Sequence, residues 1–299
     1  MVMRMPIRIS QKNQIIQLFI VCVIVLISIY LLYKFKKSTI YREFFESKPE
    51  INKEIQCVVA RYNEDTDWFQ EEPFNHFDMI CYNKGPRLPE HCFTNNCKVV
   101  ELDNVGRCDH TYLYHIIKNY NNLAPITLFL PASCMDAHKK NFTMNVLKHV
   151  LDTKNTVLQG GILNDVRKDL YDFTLDEWKA SNPKNVTVNP ESQLQKSPIR
   201  PFGKWFDANF GENVHVKIFS FYGIIAVSRE HIIQHPIERY ERLIKYVNIH
   251  SNPEAGHYME RSWGAIFYPY PESCIYDAGL QEHITSTMTS INNYFASKI

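Results

Sequence analysis

The chain has 299 residues, with 33 Lys and Arg against 32 Asp and Glu and a formal net charge of +1. That balance does not suggest nucleic acid, and no partner of that kind is expected. Aromatic residues make up 13% of the chain, enough for a large core and for stacking surfaces.

Residues 1–14 form a short tail. Ile15 to Tyr33 then reads IIQLFIVCVIVLISIYLLY, an uncharged run whose clear polar interruptions are Gln17 and Ser28. At about 1.5 Å per residue the run just crosses a hydrocarbon core of about 30 Å. A buried core helix is rarely apolar on every face. A cleaved signal peptide would be shorter in its apolar part and followed by small residues, whereas Lys34, Lys36 and Lys37 follow here. The sequence therefore predicts one membrane anchor at 15–33, a charged stalk at 34–53 and a single α/β domain at 54–299. Basic residues flank the run on both sides (Arg4, Arg8 and Lys12; Lys34, Lys36, Lys37 and Arg42), so charge gives almost no orientation. The short tail and two sequons, Asn141-Phe142-Thr143 and Asn185-Val186-Thr187, favour a type II, single-pass glycoprotein with its domain in the ER or Golgi lumen.

Of the eight cysteines, Cys22 falls inside the apolar run and seven lie beyond it. An odd number argues against a complete disulfide framework. Cys92 and Cys97 flank a polar turn and can pair in an oxidising compartment. Cys57 and Cys81 lie in strand-like runs and are expected to be buried thiols. The spacing is not that of a zinc site.

After the stalk, Ile55 to Ala60 is an apolar run suited to a buried strand. It stops at Arg61-Tyr62-Asn63-Glu64-Asp65, a dense polar block. Phe77 to Tyr82 is a second strand, closed by the turn Asn83-Lys84-Gly85-Pro86. Lys98 to Leu102 is a third strand, followed by the loop Asn104-Val105-Gly106-Arg107. A helix is predicted over His110 to Tyr120, with Tyr112, Leu113, Ile116 and Ile117 on one face. A fourth strand covers Pro125 to Pro131. Beyond it come a helix at Met144–Leu151, a long surface excursion at Ser181–Pro201, and strands at Val214–Phe219 and Gly223–Val227. A helix starts at Ser228, another covers Ile237–Asn248, and a third covers His257–Phe267. Strands alternating with helices predict a Rossmann-like α/β sheet with ligands at the carboxyl ends of its strands. Asn63, Asn83 and Asn104 each follow a strand and should reach one rim.

Three clusters carry candidate chemistry. In the Arg61–Asp65 block, Asn can read a base edge, a carboxylate can accept from ribose hydroxyls and Arg can neutralise phosphate. A solvated loop with an internal Arg–acid pair is the other reading. Arg107 and His110 lie at a helix mouth, which suits phosphate, although helix capping by Asp109 is an equal alternative. Glu260, Arg261 and Trp263 can supply a general base, a cation for a leaving diphosphate and a stacking surface for a sugar. The same segment also reads as a helix with Tyr258, Trp263 and Phe267 buried. Asp136 and His138 are too few for a metal site.

The strings ARYNEDTDW, YNKG, NVGRCDHTYLYHIIKNYNNL, VSREHI and HYMERSWGAIF, in that order, resemble the family labelled domain of unknown function 3431, over about Cys57 to Phe267. That resemblance implies no activity. Cys57 to Trp68 is similar, more distantly, to the first strand and loop of nucleotide-sugar glycosyltransferases of the GT-A type. Asn104 to Arg107 resembles their Asn/Gly loop, and Thr127 to Leu130 is placed like the strand before their metal-binding Asp-x-Asp. The chain departs there, with Pro131-Ala132-Ser133-Cys134-Met135-Asp136-Ala137-His138 and no such pair. The resemblance implies a GT-A-like fold and a membrane-anchored transferase. It would move a sugar from a nucleotide donor to a glycan or glycoprotein; the departure at Asp-x-Asp leaves a divalent metal possible but unsupported, and no other cofactor is expected. Under it, Glu260 and Arg261 are catalytic and Trp263 stacks on the sugar. Arg61, Tyr62, Asn63, Glu64, Asp65, Asn104, Gly106, Arg107 and His110 bind the nucleotide. A non-catalytic carbohydrate- or partner-binding domain on the same fold is the alternative, and a hydrolase using Glu260 with a second acid is a third.

Overall fold

The computed structural model describes residues 27, 28, 30, 52–88, 96–178, 193–220 and 222–278. Two compact units divide the chain, Met1–Glu50 and Ile51–Ile299. Of the first, Ile27, Ser28 and Tyr30 are helical and exposed. The rest of the predicted anchor lies outside the described residues, as do Cys92 and the sequon at Asn185. Among the described residues no helix is long and apolar enough to cross a membrane.

The second unit is a mixed α/β domain built on a five-stranded sheet flanked by helices. Strand β1 (Asn52–Arg61) lies at its centre, pairing in parallel with β2 (Phe77–Asn83) on one side and β4 (Ile126–Pro131) on the other. β3 (Cys97–Glu101) adds in parallel to β2, and β7 (Ile225–Ser228) adds antiparallel to β4, giving the order β3-β2-β1-β4-β7. The alternation of a pleated strand explains why both faces of β1 are covered. Val58 and Ala60 face one core with Phe129, Tyr112, Trp205, Phe206, Tyr258 and Trp263. Cys57 and Val59 face the other with Leu128, Trp68, Phe74, Phe142 and Val146. Cys57 and Cys81 are fully buried, as their apolar surroundings in the sequence imply.

The chain steps from β1 outward to β2 and β3. It then returns through helix α1 (Arg107–Asn119) to place β4 on the opposite side of β1. The carboxyl ends of strands at such a reversal, here β1 and β4, are the usual ligand position in open α/β sheets. Register aligns Arg61 with Asn83 and Asn83 with Glu101, so the loops carrying Asn63, Asn83 and Asn104 leave the same rim. Asn83 itself is fully buried, while Asn63 and Asn104 are exposed.

After β4 come α2 (Lys140–Thr153), β5 (Leu158–Ile162) and the single turn α3 (Val166–Asp169). Helix α4 (Phe202–Phe210) and the short β6 (Ile218–Phe219) precede β7. Helices α5 (Arg229–Ile233), α6 (Ile237–Ile244) and α7 (Glu254–Phe267) follow, then β8 (Ile275–Asp277). β5 pairs antiparallel to β6 and parallel to β8, and Val157 bridges it to Ala226 of β7. Most predicted elements are present with shifted ends; the strand expected at Val214–Phe219 shrinks to two residues. Strand β5 carries no local signal, because Leu158-Gln159-Gly160-Gly161-Ile162 has low strand propensity. Gly160 is required there, since a Cβ would lie 1.9 Å from the Phe219 carbonyl oxygen. Helix α4 was missed as well.

The start of α7 is fixed by a buried carboxylate. Glu254 has no exposed surface and accepts from the amides of Leu175 and Ser197, each at 2.8 Å. The Arg200 guanidinium (3.1 Å) and the Tyr258 hydroxyl (2.7 Å) complete its shell. Removing one partner of such a buried pair strands the other charge and costs about 3–5 kcal/mol. Glu254→Ala is expected to lower the free energy of unfolding by that amount, read as a shifted urea midpoint. A loss below about 1 kcal/mol, the value of an ordinary exposed pair, would show that the node does not fix the helix.

Candidate functional site

Helix α1 and helix α7 bring the candidate residues together. Gly106 and Arg107 enter α1 in left-handed backbone conformations, φ +58° and +53°. Gly106 has no room for a side chain, because a Cβ would lie 2.1 Å from the Val247 carbonyl oxygen, and its amide donates to His250 O at 2.8 Å. The glycine loop is therefore built for packing. Arg107 bears the conformation against its side chain, a strain of roughly 1–2 kcal/mol. Its guanidinium lies 3.7 Å over the centre of the Trp178 ring, and Nη1 is 3.2 Å from His257 Nε2.

On α7, His257, Glu260 and Arg261 follow helical i, i+3, i+4 spacing and share one face. Arg107 is only a donor, so His257 Nε2 accepts and Nδ1 carries the proton. Nδ1 points toward Glu260 Oε2 at 4.0 Å, too far for a hydrogen bond. Burial, reinforced by Arg107 and Arg261, holds His257 well below its ordinary pKa, so the ring is neutral. Arg261 Nη1 donates to the His257 carbonyl at 2.8 Å and lies 3.7 Å from Glu260 Oε2; its Cζ is 4.1 Å over the Phe173 ring.

Glu260 is recessed, with 19% of its side chain exposed. Burial raises its pKa to about 7, even though Arg261, Arg107 and Lys139 all pull the other way. Asp109 lies deeper and is raised to about 8 by burial and then by Glu260. Its Oδ1 accepts the Trp263 indole N–H at 3.2 Å. The two carboxyls titrate as a coupled pair. With Asp109 largely protonated at neutral pH, Arg107, Arg261 and Lys139 give this corner a net positive charge. Lys139 reaches it from the β4–α2 connection, where Nζ donates to Ser133 Oγ at 2.7 Å.

Several sequence expectations are corrected. Trp263 is 1% exposed and packs on Tyr112 and Phe267, so it offers no face to a sugar. Asp109 does not cap α1, since no side chain accepts there. His110 is buried beside Lys84 and lowered to about 4 by burial and that charge, so it is neutral and adds no cation for phosphate. Arg61 is committed to its own rim: Nη1 donates to Asn83 Oδ1 at 2.7 Å and Pro86 O at 2.8 Å, and Nε to Glu64 O at 3.0 Å. Carbonyl oxygens of the backbone and of the Asn83 side chain hold it, rather than an acid. The Glu64 carboxylate accepts the amides of Tyr62 and Asn63, and Asp65 accepts that of Asp67. Arg107 and Arg261 converge on His257, with Arg61 not among their contacts. Among the described residues no group of three acids, histidines or cysteines stands ready for a metal, Asp136 and His138 included.

Lys84, Asp109, Trp178, Lys139 and His257 are site neighbours that sequence reasoning passed over. For His257 a signal existed, its helical spacing to Glu260 and Arg261. For the other four, contact across the fold is the only signal.

A raised carboxyl sets the sign of a pH dependence. The folded state holds the Glu260 proton more tightly than the unfolded chain. This contribution is therefore most favourable below about pH 4.5 and falls as pH rises toward about 7, at about 1.4 kcal/mol per unit. Glu260→Gln removes the titration, so its stability relative to wild type should rise across that interval. Urea midpoints at pH 5, 6, 7 and 8 check this, and a constant difference would exclude a raised Glu260.

The model of a family described as a protein of unknown function (DUF3431) matches residues 57–279. No curated protein matches the chain.

Proposed function

The chain belongs to the DUF3431 family, and we propose that it is a membrane-anchored transferase moving a sugar from a nucleotide donor to a glycan or glycoprotein, on a GT-A-like domain and without a metal. One observation carries this reading: Arg107, His257, Glu260 and Arg261 meet at the amino-terminal end of α1 as a net cationic cluster around a carboxyl of near-neutral pKa. An anion bearing two or more charges is the natural counterpart of such a cluster. A carboxyl poised near pH 7 is suited to accept a proton.

In the proposed reaction the acceptor hydroxyl gives its proton to the Glu260 carboxylate and its oxygen bonds to the anomeric carbon. The bond from that carbon to the diphosphate breaks, and the diphosphate leaves as an anion held by Arg107 and Arg261. The arginines stabilise charge that develops at this step, so they act on the transition state more than on the ground state. Lys139, directly before α2, supports the metal-free reading, since an ammonium in that position opposes a second cation. With Trp263 buried, Trp178 and Phe173 are aromatics beside the cluster, each with an arginine over its ring. Exposed Asn63 and Asn104 remain open at the rim for a base or ribose.

Donor binding is expected to survive EDTA. Arg261→Ala should abolish measurable turnover, since losing a buried charge contact costs about 2–5 kcal/mol. Glu260→Gln should keep donor binding while slowing turnover by roughly two to four decades. The deciding assay is a nucleotide-sugar screen on the detergent-solubilised full chain, with and without Mn²⁺. Binding without turnover would favour the non-catalytic carbohydrate-binding domain. Full activity of both variants, or loss of binding in EDTA, would end the metal-free mechanism.

The membrane part of the proposal rests on the uncharged run at 15–33, with the domain on the lumenal side. Asn141 is exposed at the start of α2, where a glycan has space, although Thr143 of the same sequon is buried with its hydroxyl on Cys134 O at 2.7 Å. Glycosidase treatment of the expressed chain should increase its mobility. No shift, together with protease sensitivity from the cytosolic side, would reverse the orientation.

A further inference from the structure

Lys84 takes no part in the chemistry above, yet it is one of the most constrained cations in the domain. It follows β2 directly and is 8% exposed. Its backbone amide donates to Arg61 O at 2.8 Å, which fixes it from the neighbouring strand. Its ammonium donates to two carbonyls of one turn, Val105 O at 2.6 Å and Arg107 O at 2.5 Å, with His110 Nδ1 at 3.5 Å. Burying an ammonium is costly unless its donors are satisfied. Here the fold bears that cost for two backbone oxygens, and burial lowers the Lys84 pKa to about 7.

Those two carbonyls bracket the left-handed pair Gly106 and Arg107. Glycine takes such a conformation freely, and arginine does not. Gly106 is held by its amide bond to His250 O and by the absence of space at its Cα. The carbonyl of Arg107 is held by Lys84. An ordinary helical φ at Arg107 would swing its Cβ through a large angle. That would carry the guanidinium off the Trp178 face and away from His257 Nε2, where it now lies at 3.7 and 3.2 Å. A non-glycine residue kept in a strained conformation by a buried cation is the kind of outlier that fold stability alone does not call for.

We propose that Lys84 is a positioning residue: its ammonium clamps the Val105–Arg107 turn and so aims the Arg107 guanidinium at Trp178 and His257. As a route to function this rests on the reading of Arg107 as a ligand of the leaving diphosphate. The placement of Arg107 itself does not depend on that reading, and the experiment separates the two.

The first readout needs no ligand. The emission of Trp178 in the full chain is obtained by difference from the same chain carrying Trp178→Phe. Arg107→Ala should change that emission by removing the stacked guanidinium. Lys84→Met, which keeps the length of the side chain and drops the ammonium, should change it in the same sense. The double variant should match Arg107→Ala alone. The second readout is titration with inorganic pyrophosphate in EDTA. Lys84→Met and Arg107→Ala should each weaken binding at least ten-fold, and the double variant no more than Arg107→Ala, because a residue acting through another gives non-additive losses. Should Lys84→Met fail to fold, Lys84→Gln retains a donor of shorter reach and carries the same two readouts.

The proposal is overturned if the Lys84 variant leaves the Trp178 signal at the wild-type value while Arg107→Ala changes it, or if the two losses add. If wild type binds no pyrophosphate, the diphosphate reading fails, and the emission result alone decides whether Lys84 positions Arg107.

Discussion

The carboxylate of Glu254 lies inside the protein with four donors on its two oxygens, and the placement of α7 follows from it. Two of those donors are amides from the distant segments at Leu175 and Ser197, so the helix starts where three parts of the chain meet. Tyr258 closes the shell from one turn further along, which fixes the rotation of the helix as well as its position. With that rotation set, Tyr258 and Trp263 go into the core, while His257, Glu260 and Arg261 face the amino-terminal end of α1. An acid at the first position of a helix also meets the positive end of its dipole, which lowers the cost of burying it.

At the site the competition between desolvation and Coulomb attraction is resolved differently for each group. Three cations act on Glu260, yet burial still prevails and its proton stays on until about neutral pH. Asp109 is deeper, and a tryptophan N–H does not offset its burial. The histidine between the arginines responds in the opposite direction and loses its charge. A guanidinium spreads its charge and stacks on rings, and those of Arg107 and Arg261 lie over Trp178 and Phe173. The outcome is a corner with fixed positive charge and a movable proton. Perturbed groups concentrated in one crevice at a topological switch point are a common mark of a functional site.

The sheet core was legible because β1, β2 and β4 each contain a largely apolar run, and those of β1 and β2 end in polar segments. Their order around the switch point explains why Asn63, Asn83 and Asn104 leave one rim. Chemical assignments fared less evenly, because a residue's type does not say what will occupy its hydrogen bonds. Arg61 has the chemistry of a phosphate ligand, and the turn after β2 takes its donors first. Trp263 has the chemistry of a stacking platform, and the helix rotates it inward. Lys84 looked like an ordinary turn residue, and burial between two loops made it a clamp.

By itself the sequence determined the α/β alternation, the central buried strands, the family and the segments bearing candidate chemistry, since hydrophobic period and local turn residues act over a few neighbouring positions. Tertiary structure alone decided which side of each helix faced the site, which partners each cation took and which carboxyls kept a proton near neutral pH. Those outcomes depend on burial and on partners far apart in the chain, such as Arg107 with His257 and Asp109 with Trp263, and no local pattern encodes a contact across 150 residues.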